Sequence, residues 1–245
     1  MIQIDNIQKS FDGVPILKGL SLHVEAGEFV ALIGRSGCGK SVLLRHIAGM
    51  LRPDSGQILV DGQELHRLRG SQLQALRSRF GFVFQGGALF DSMTVFDNVA
   101  FPLREKTKMG EAEIAERVHN AIERVGLADA GEKFSAQISG GMVKRTALAR
   151  ALVLAPEFLF FDEPTTGLDP MTSQAILNLI DSCHRNLKFT GIIVTHQIPR
   201  VFDIVDKVAV LHEGTIRFFG PPEQLAESAD EVVRQLVTGT VENPA

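Results

Sequence analysis

Cysteine is scarce in this sequence: Cys38 and Cys183 are too few and too unpatterned for a disulfide framework or a zinc site, and both read as reduced cytosolic thiols. Basic residues are also in short supply. Lys and Arg number 25 against 29 Asp and Glu, a net charge of -4. That argues against a chain whose main partner is a nucleic-acid backbone, which needs clustered excess cations. Long apolar runs are missing as well. The most apolar stretch, Ala147 to Phe161, is broken by Arg150, Pro156 and Glu157 and cannot span a bilayer. The opening residues Met1-Ile2-Gln3-Ile4-Asp5 lack the basic-then-apolar plan of a signal peptide. Work at a membrane would therefore mean docking onto something already there.

What is present is ordinary globular material: 245 residues, 44% hydrophobic and 22% charged, enough for one sizeable core. The first third alternates short β-type runs with turns. Glu28 to Ile33 reads as a strand ending in a Gly-rich loop, and Lys40 to Met50 as a helix with Val42, Leu43, Ile47 and Met50 on its apolar face. Asp61-Gly62 turns the chain after the strand Gln57–Val60. The middle is helical: Glu111 to Val125 places Ile114, Val118, Ile122 and Val125 on one face, with Gly126 as its C-cap. A second helix, Gly141 to Leu154, follows Ser139. Strands at 158–162, 191–195 and 207–212 flank a helix at 171–186 whose start is Asp169-Pro170. The tail from Pro221 to Leu236 reads as helical, and Val237 to Ala245 as frayed. The pattern is an α/β core interrupted by a helical insertion near residues 88 to 150.

Gly34-Arg35-Ser36-Gly37-Cys38-Gly39-Lys40-Ser41 fits G-x-x-x-x-G-K-[ST] between a strand and a helix. Its glycines let backbone N–H groups turn inward around phosphates, and the helix N-terminus, which continues into Val42, adds partial positive charge. Lys40 is placed to reach the β- and γ-phosphates and Ser41 to ligate Mg²⁺. Phe158-Leu159-Phe160-Phe161-Asp162-Glu163 is an apolar strand ending in two acids. Asp162 can hold Mg²⁺ through water, and Glu163 can act as general base toward the attacking water. His196 ends the run Ile192 to Thr195, where it either contacts the γ-phosphate or is a strand-end histidine satisfied by loop backbone.

With Ile138-Ser139-Gly140-Gly141-Met142 upstream of Asp162-Glu163, the chain resembles an ABC-transporter ATPase over nearly its full length. The resemblance implies an α/β P-loop NTPase fold: a RecA-like core with an antiparallel β subdomain and an inserted helical subdomain. Residues of about 1–87 and 151–220 would form the core, about 88–150 the helical part, and about 221–245 a C-terminal helix and tail. It assigns Walker A to Gly34–Ser41, the Q-loop to Gln85, which meets the Mg²⁺ and the attacking water, and the signature to Ser139, Gly140, Gly141 and Met142. Walker B is Phe158–Asp162 with Glu163 as base, the D-loop is Gly167-Leu168-Asp169, and the switch histidine is His196. It further implies a head-to-tail homodimer with two Mg-ATP at the interface, each between Walker A of one subunit and the signature loop of the other. Phe11 matches the aromatic that stacks on adenine, where Tyr is common; the other reading is a core Phe. The usual fifth signature residue is Gln and here it is Met142, so a side-chain contact to nucleotide is in doubt.

Together with Ser-Gly-Gly-Met, the segment Phe84 to Glu105 is similar to the ATPase subunit of Mla/Mce-type phospholipid transporters, which maintain outer-membrane lipid asymmetry. That resemblance implies a place on the cytoplasmic face of a bacterial inner membrane, held there by a membrane permease. Its partners would be that permease, an MCE-domain lipid-binding protein and a small STAS-domain protein, with phospholipid as cargo. Ala88-Leu89-Phe90 and Met93 to Phe101 either meet the permease or pack the helical subdomain. Arg67, Arg69, Arg77 and Arg79 either approach headgroups or form a solvated helix face. Two other functions stay open: import of a small solute, and a soluble ABC ATPase acting as an assembly factor.

Overall fold

A computed structural model describes residues 1–238. The first half of the chain runs β1 (Ile2–Phe11), β2 (Val14–Val24), β3 (Phe29–Ile33), α1 (Lys40–Ile47), β4 (Ser55–Val60), β5 (Gln63–Glu64), α2 (Gly70–Ser78), β6 (Phe80–Val83), α3 (Val95–Lys106) and α4 (Glu111–Arg124). The second half runs α5 (Gly140–Leu152), β7 (Phe158–Asp162), α6 (Pro170–Leu187), β8 (Thr190–Val194), β9 (Lys207–His212), β10 (Thr215–Gly220) and α7 (Glu231–Thr238). These elements form two compact units, one from Met1–Arg77 with the chain from Thr190 on, the other Ser78–Phe189.

In the first unit, β3 lies between β8 and β9 and is parallel to both, and β10 pairs antiparallel with β9. Every residue of β3 is buried, as a strand covered on both faces must be, which explains the continuous Phe-Val-Ala-Leu-Ile run. Beside it is an antiparallel sheet in the order β2-β1-β4-β5. Three hairpin-type corners of this unit, two in that sheet and one between β9 and β10, share one device. Asp12-Gly13, Asp61-Gly62 and Glu213-Gly214 all have positive φ at both residues, the twist-matched two-residue turn that Asp-Gly favours. In the second unit, β6 and β7 pair in parallel, and α4 buries Ile114, Val118 and Ile122. Phe80 meets Phe158 and Phe160 edge-on at 5.5 and 5.4 Å, so aromatic packing holds the strand pair.

Several expected boundaries move. Helix α1 ends at Ile47, because Gly49 takes φ 69, and Met50 is 46% exposed instead of sharing the apolar face. The tail is helical only in the short Pro222–Gln224 turn and in α7, whose start is capped by Asp230 accepting from Val232 N. Of the stretch expected to fray, residues 239–245 lie outside the described residues. The four arginines do not share a helix face. Arg67 pairs with Glu64, Arg69 caps the His66 and Leu68 carbonyls, Arg77 donates to Gly49 O, and Arg79 pairs with Glu157. Among the described residues, no helix is long and apolar enough to cross a membrane.

Candidate functional site: a phosphate loop and a carboxylate strand

In the first unit, β3 delivers the chain into the loop Gly34–Gly39, and α1 begins at Lys40. Gly34, Gly37 and Gly39 all have positive φ. A Cβ at Gly34 would strike Leu211 O and lie 2.9 Å from Cys38 Sγ, while a Cβ at Gly37 would meet nothing within 4 Å. The loop is therefore closed against the sheet at its root and open at its tip. Lys40 is 8% exposed, and its Nζ donates to Gly34 O at 2.9 Å and Arg35 O at 3.0 Å. The cation thus sits inside the turn formed by its own loop, where phosphate oxygens can replace those carbonyls. Arg35 and Ser36 are exposed; Ser41 and Val42 are half-buried in the first turn of α1. Burial pushes the Cys38 thiol up, against the opposing pull of the Lys40 charge, so it is a poorer nucleophile than a free cysteine.

Two other predicted residues lie in this unit. Leu32 is in register with Val194, so Gly34 and His196, each two residues further on, leave the sheet at the same edge. His196 is exposed, beyond Thr195, whose hydroxyl accepts from Gln197 N at 3.0 Å. Phe11 is no core residue. It ends β1 at 41% exposure, with Lys9 Nζ 5.3 Å from its ring centroid.

In the second unit, Val83 is in register with Phe161, so Gln85 and Glu163 also lie two residues beyond a paired position at one strand edge. Asp162 is 4% exposed at the end of β7. Glu163 holds φ 50, a strained conformation for a non-glycine residue and one that clusters at functional sites. Its Oε2 accepts from Thr166 Oγ1 at 3.4 Å, and its carbonyl accepts from Thr166 N at 3.2 Å. Ser139 caps α5, accepting from Met142 N, and Ser139 and Gly140 are exposed. A Cβ at Gly140 would meet Leu168 at 3.3 Å, and one at Gly141 would meet Thr172 at 2.8 Å. The signature glycines thus let the turn around Asp169 pack directly against them. Asp169 accepts from Met171 N and Thr172 N at 3.0 Å, and the Thr172 hydroxyl bond holds its carboxyl below the usual range. Met171 beside it is 84% exposed. Sequence reasoning missed two cations that hold the Gln85 loop, Lys144 and Arg150; nothing in the sequence set them apart from Arg145 on the same helix, which donates to Val125 O.

Among the described residues, no three His, Cys, Asp or Glu side chains gather as a metal cage. Mg²⁺ bound with a nucleotide keeps waters and phosphate oxygens and takes one or two protein oxygens; Ser41 in the first unit, and Gln85 and Asp162 in the second, carry oxygens of that kind. The open tip at Gly37 and the enclosed Lys40 fit a nucleotide's phosphates.

The family model for "ABC transporter" matches residues 17–166. A probable ribonucleotide transport ATP-binding protein of Mycobacterium leprae is 42% identical over 97% of this chain and 69% of its own length. The intermembrane phospholipid transport system ATP-binding protein MlaF of Haemophilus influenzae is 40% identical over 100% of this chain and 92% of its own length. A solved structure of the ATP-binding cassette MJ0796, dimeric, post-hydrolysis and bound to ADP and Pi, superposes with a TM-score of 0.83 at 29% identity. It covers 91% of this chain and 99% of that one. The fold is the P-loop, RecA-like ABC ATPase fold, which implies use of Mg-ATP. The chain belongs to the ABC transporter family, as an ATP-binding and ATP-hydrolysing subunit that powers transport.

Proposed function

We propose that this ATPase drives a phospholipid transporter of the Mla type, working as a homodimer beneath a membrane permease with an MCE-domain protein and a STAS-domain protein. The observation that carries this reading is the end-to-end likeness to the H. influenzae protein, 40% identical over 100% of this chain and 92% of the other. The dimer rests on the dimeric MJ0796 cassette and on the exposure of Ser139 and Gly140, which offer an anion-binding helix start to a second copy.

In this reading, Lys40 and the loop amides of Gly34 to Ser41 hold the phosphates, and Phe11 stacks on the base. Ser41, Asp162 and Gln85 would hold the Mg²⁺, which would supply charge neutralisation to the phosphates. Glu163 takes a proton from water as its oxygen bonds to Pγ and the Pγ–O bond to the β-phosphate breaks, releasing ADP. His196 steadies the γ-phosphate, and Ser139, Gly140 and Gly141 of the partner subunit close the site. Met142 contributes backbone there and no amide side chain.

A second cargo has its own support. The M. leprae relative, at 42% identity, is named for ribonucleotide transport, so overall identity does not separate phospholipid from small-solute cargo. Affinity purification of the tagged chain from native membranes, with partners read by mass spectrometry and lipids by extraction, tests the choice. A permease with an MCE-domain protein and phospholipid is the expected result. A permease with a solute-binding protein establishes the small-solute reading, and soluble partners alone refute both.

A further inference from the structure

Helix α5 carries two cations on a face that is otherwise small or apolar. Lys144 is 7% exposed and Arg150 is half-buried, and burial pushes both pKa values down. Among the described residues, the donors recorded for both go to backbone carbonyls. Lys144 Nζ donates to Gln85 O, Arg150 Nη2 to Gly87 O at 2.6 Å, and Arg150 Nη1 to Ala88 O at 2.7 Å. The chain turns between those anchors. Gly87 and Ala88 both have positive φ, Gly87 N donates to Phe84 O at 2.8 Å, and a Cβ at Gly87 would lie 2.9 Å from Val143 Cγ1. Val143, Ala147 and Arg150 follow i, i+4, i+7 spacing, so one helix face forms the bed and Lys144 flanks it.

A buried cation is costly unless hydrogen-bonded, and three carbonyl dipoles meet that need here. The dependence is mutual: carbonyls that turn toward the helix lose their partners if either cation goes. We propose that Lys144 and Arg150 are positioning residues that staple the Gln85–Ala88 loop to α5. Gln85 and Ser139 then move as parts of one body, so any displacement of the signature serine is delivered to the loop that meets the metal and the attacking water. The staple itself rests only on the contacts within this unit; its effect on hydrolysis rests on the proposed role of Gln85.

The test uses the full chain. Lys144→Met keeps the length and removes the donor, and Lys144→Arg restores a cation. Amide exchange at Gly87 is expected to speed up about tenfold or more in Lys144→Met, and to return to within about threefold of wild type in Lys144→Arg. ATP affinity stays within about twofold while kcat falls about tenfold, and adding Gln85→Ala to Lys144→Met leaves kcat no lower than Gln85→Ala alone. Unchanged exchange at Gly87 in folded Lys144→Met overturns the staple. Additive losses in the double variant overturn its action through Gln85. If Gln85→Ala alone leaves kcat intact, the assignment of Gln85 to the site fails, and the exchange result still decides the staple. Should Lys144→Met not fold, Arg150→Lys, which removes one of two donors, is read by the same exchange criterion at Ala88 and Leu89.

Discussion

Replacing Gly37 by alanine separates the loop's role in folding from its role in holding phosphate. The residue has φ 78, and a Cβ there meets nothing within 4 Å, so the methyl clashes with no part of the chain. The cost of placing alanine in the left-handed region is about 1–2 kcal/mol, less about 0.4–1 kcal/mol from a stiffer unfolded chain. The net loss of about 1 kcal/mol corresponds to a Tm drop of about 2–4 °C for a protein of this size. Nucleotide affinity should suffer far more, because the methyl stands in the open tip where phosphate must approach. An overpacking penalty of about 1–3 kcal/mol there weakens ATP binding roughly 5- to 150-fold. Gly34→Ala is the contrast: its methyl runs into the Leu211 carbonyl, which is backbone and cannot swing aside, so that variant loses stability first. Thermal melts and titration with a fluorescent ATP analogue measure the two quantities. A Gly37→Ala protein that binds ATP as wild type would refute the cradle, and one that melts more than about 10 °C early would refute the open-tip geometry.

Other variants probe separate links. Glu163→Gln keeps size and backbone conformation, so single-turnover assays should find ATP bound normally and kcat down about 10²–10⁴-fold; near-normal turnover would remove Glu163 from the base role. Leu32→Ala empties a fully buried position on β3 and should cost about 2–5 kcal/mol in urea unfolding, with a smaller loss indicating that the strand can collapse around the gap. Burial and nearby Arg and His charges lower His66 to about 4 from 6.5, and burial lowers His46 too. Folded pKa values below the unfolded ones mean stability that is full above pH 6.5 and is lost as pH falls toward about 4. Melting curves across that window should show the decline, and His66→Gln should flatten it; an unchanged slope would place the pH dependence elsewhere.

Local signals were legible wherever a residue's own chemistry fixes its conformation. The Gly-rich loop, Asp169-Pro170 opening α6, Gly126 ending α4 and Asp61-Gly62 all appear where backbone sterics and capping put them. Strand β7 and strand β9 match their apolar runs residue for residue. The failures have separate causes. Met50 continued the helical period of α1, but Gly49 broke the backbone first. The arginines near residues 67 to 79 looked like one face, but Arg67 and Arg69 turn to neighbours within three residues, and Arg77 and Arg79 to Gly49 and Glu157, partners that no local window of sequence contains. Positive φ at Glu163 was equally invisible, because glutamate carries no preference for that region. Lys144 and Arg150 belong to the same class: their partners are backbone atoms a long way off in sequence.

The proposed reaction draws groups from both compact units, and that division has a kinetic consequence. Phe11 and the Gly34–Val42 loop lie in the first unit; Gln85, Ser139, Asp162, Glu163 and Asp169 lie in the second. In the proposed reaction the first set would meet the nucleotide in ground state and transition state alike, so its loss should appear mainly as weaker binding. The second set would act on water, metal and developing charge, so its loss should appear mainly in kcat. His196 discriminates between this division and a simpler one based on location. It belongs to the first unit, yet the proposed reaction gives it a role at the γ-phosphate like that of the second set. His196→Ala should therefore lower kcat about 10²-fold or more while ATP affinity changes by less than about fivefold. Lys40→Ala, from the same sheet edge, should do the reverse at subsaturating ATP. If His196→Ala instead weakened ATP binding as Lys40→Ala does and left kcat at saturating ATP untouched, the histidine would be part of the cradle, and the γ-phosphate would be steadied in the transition state by the second unit alone.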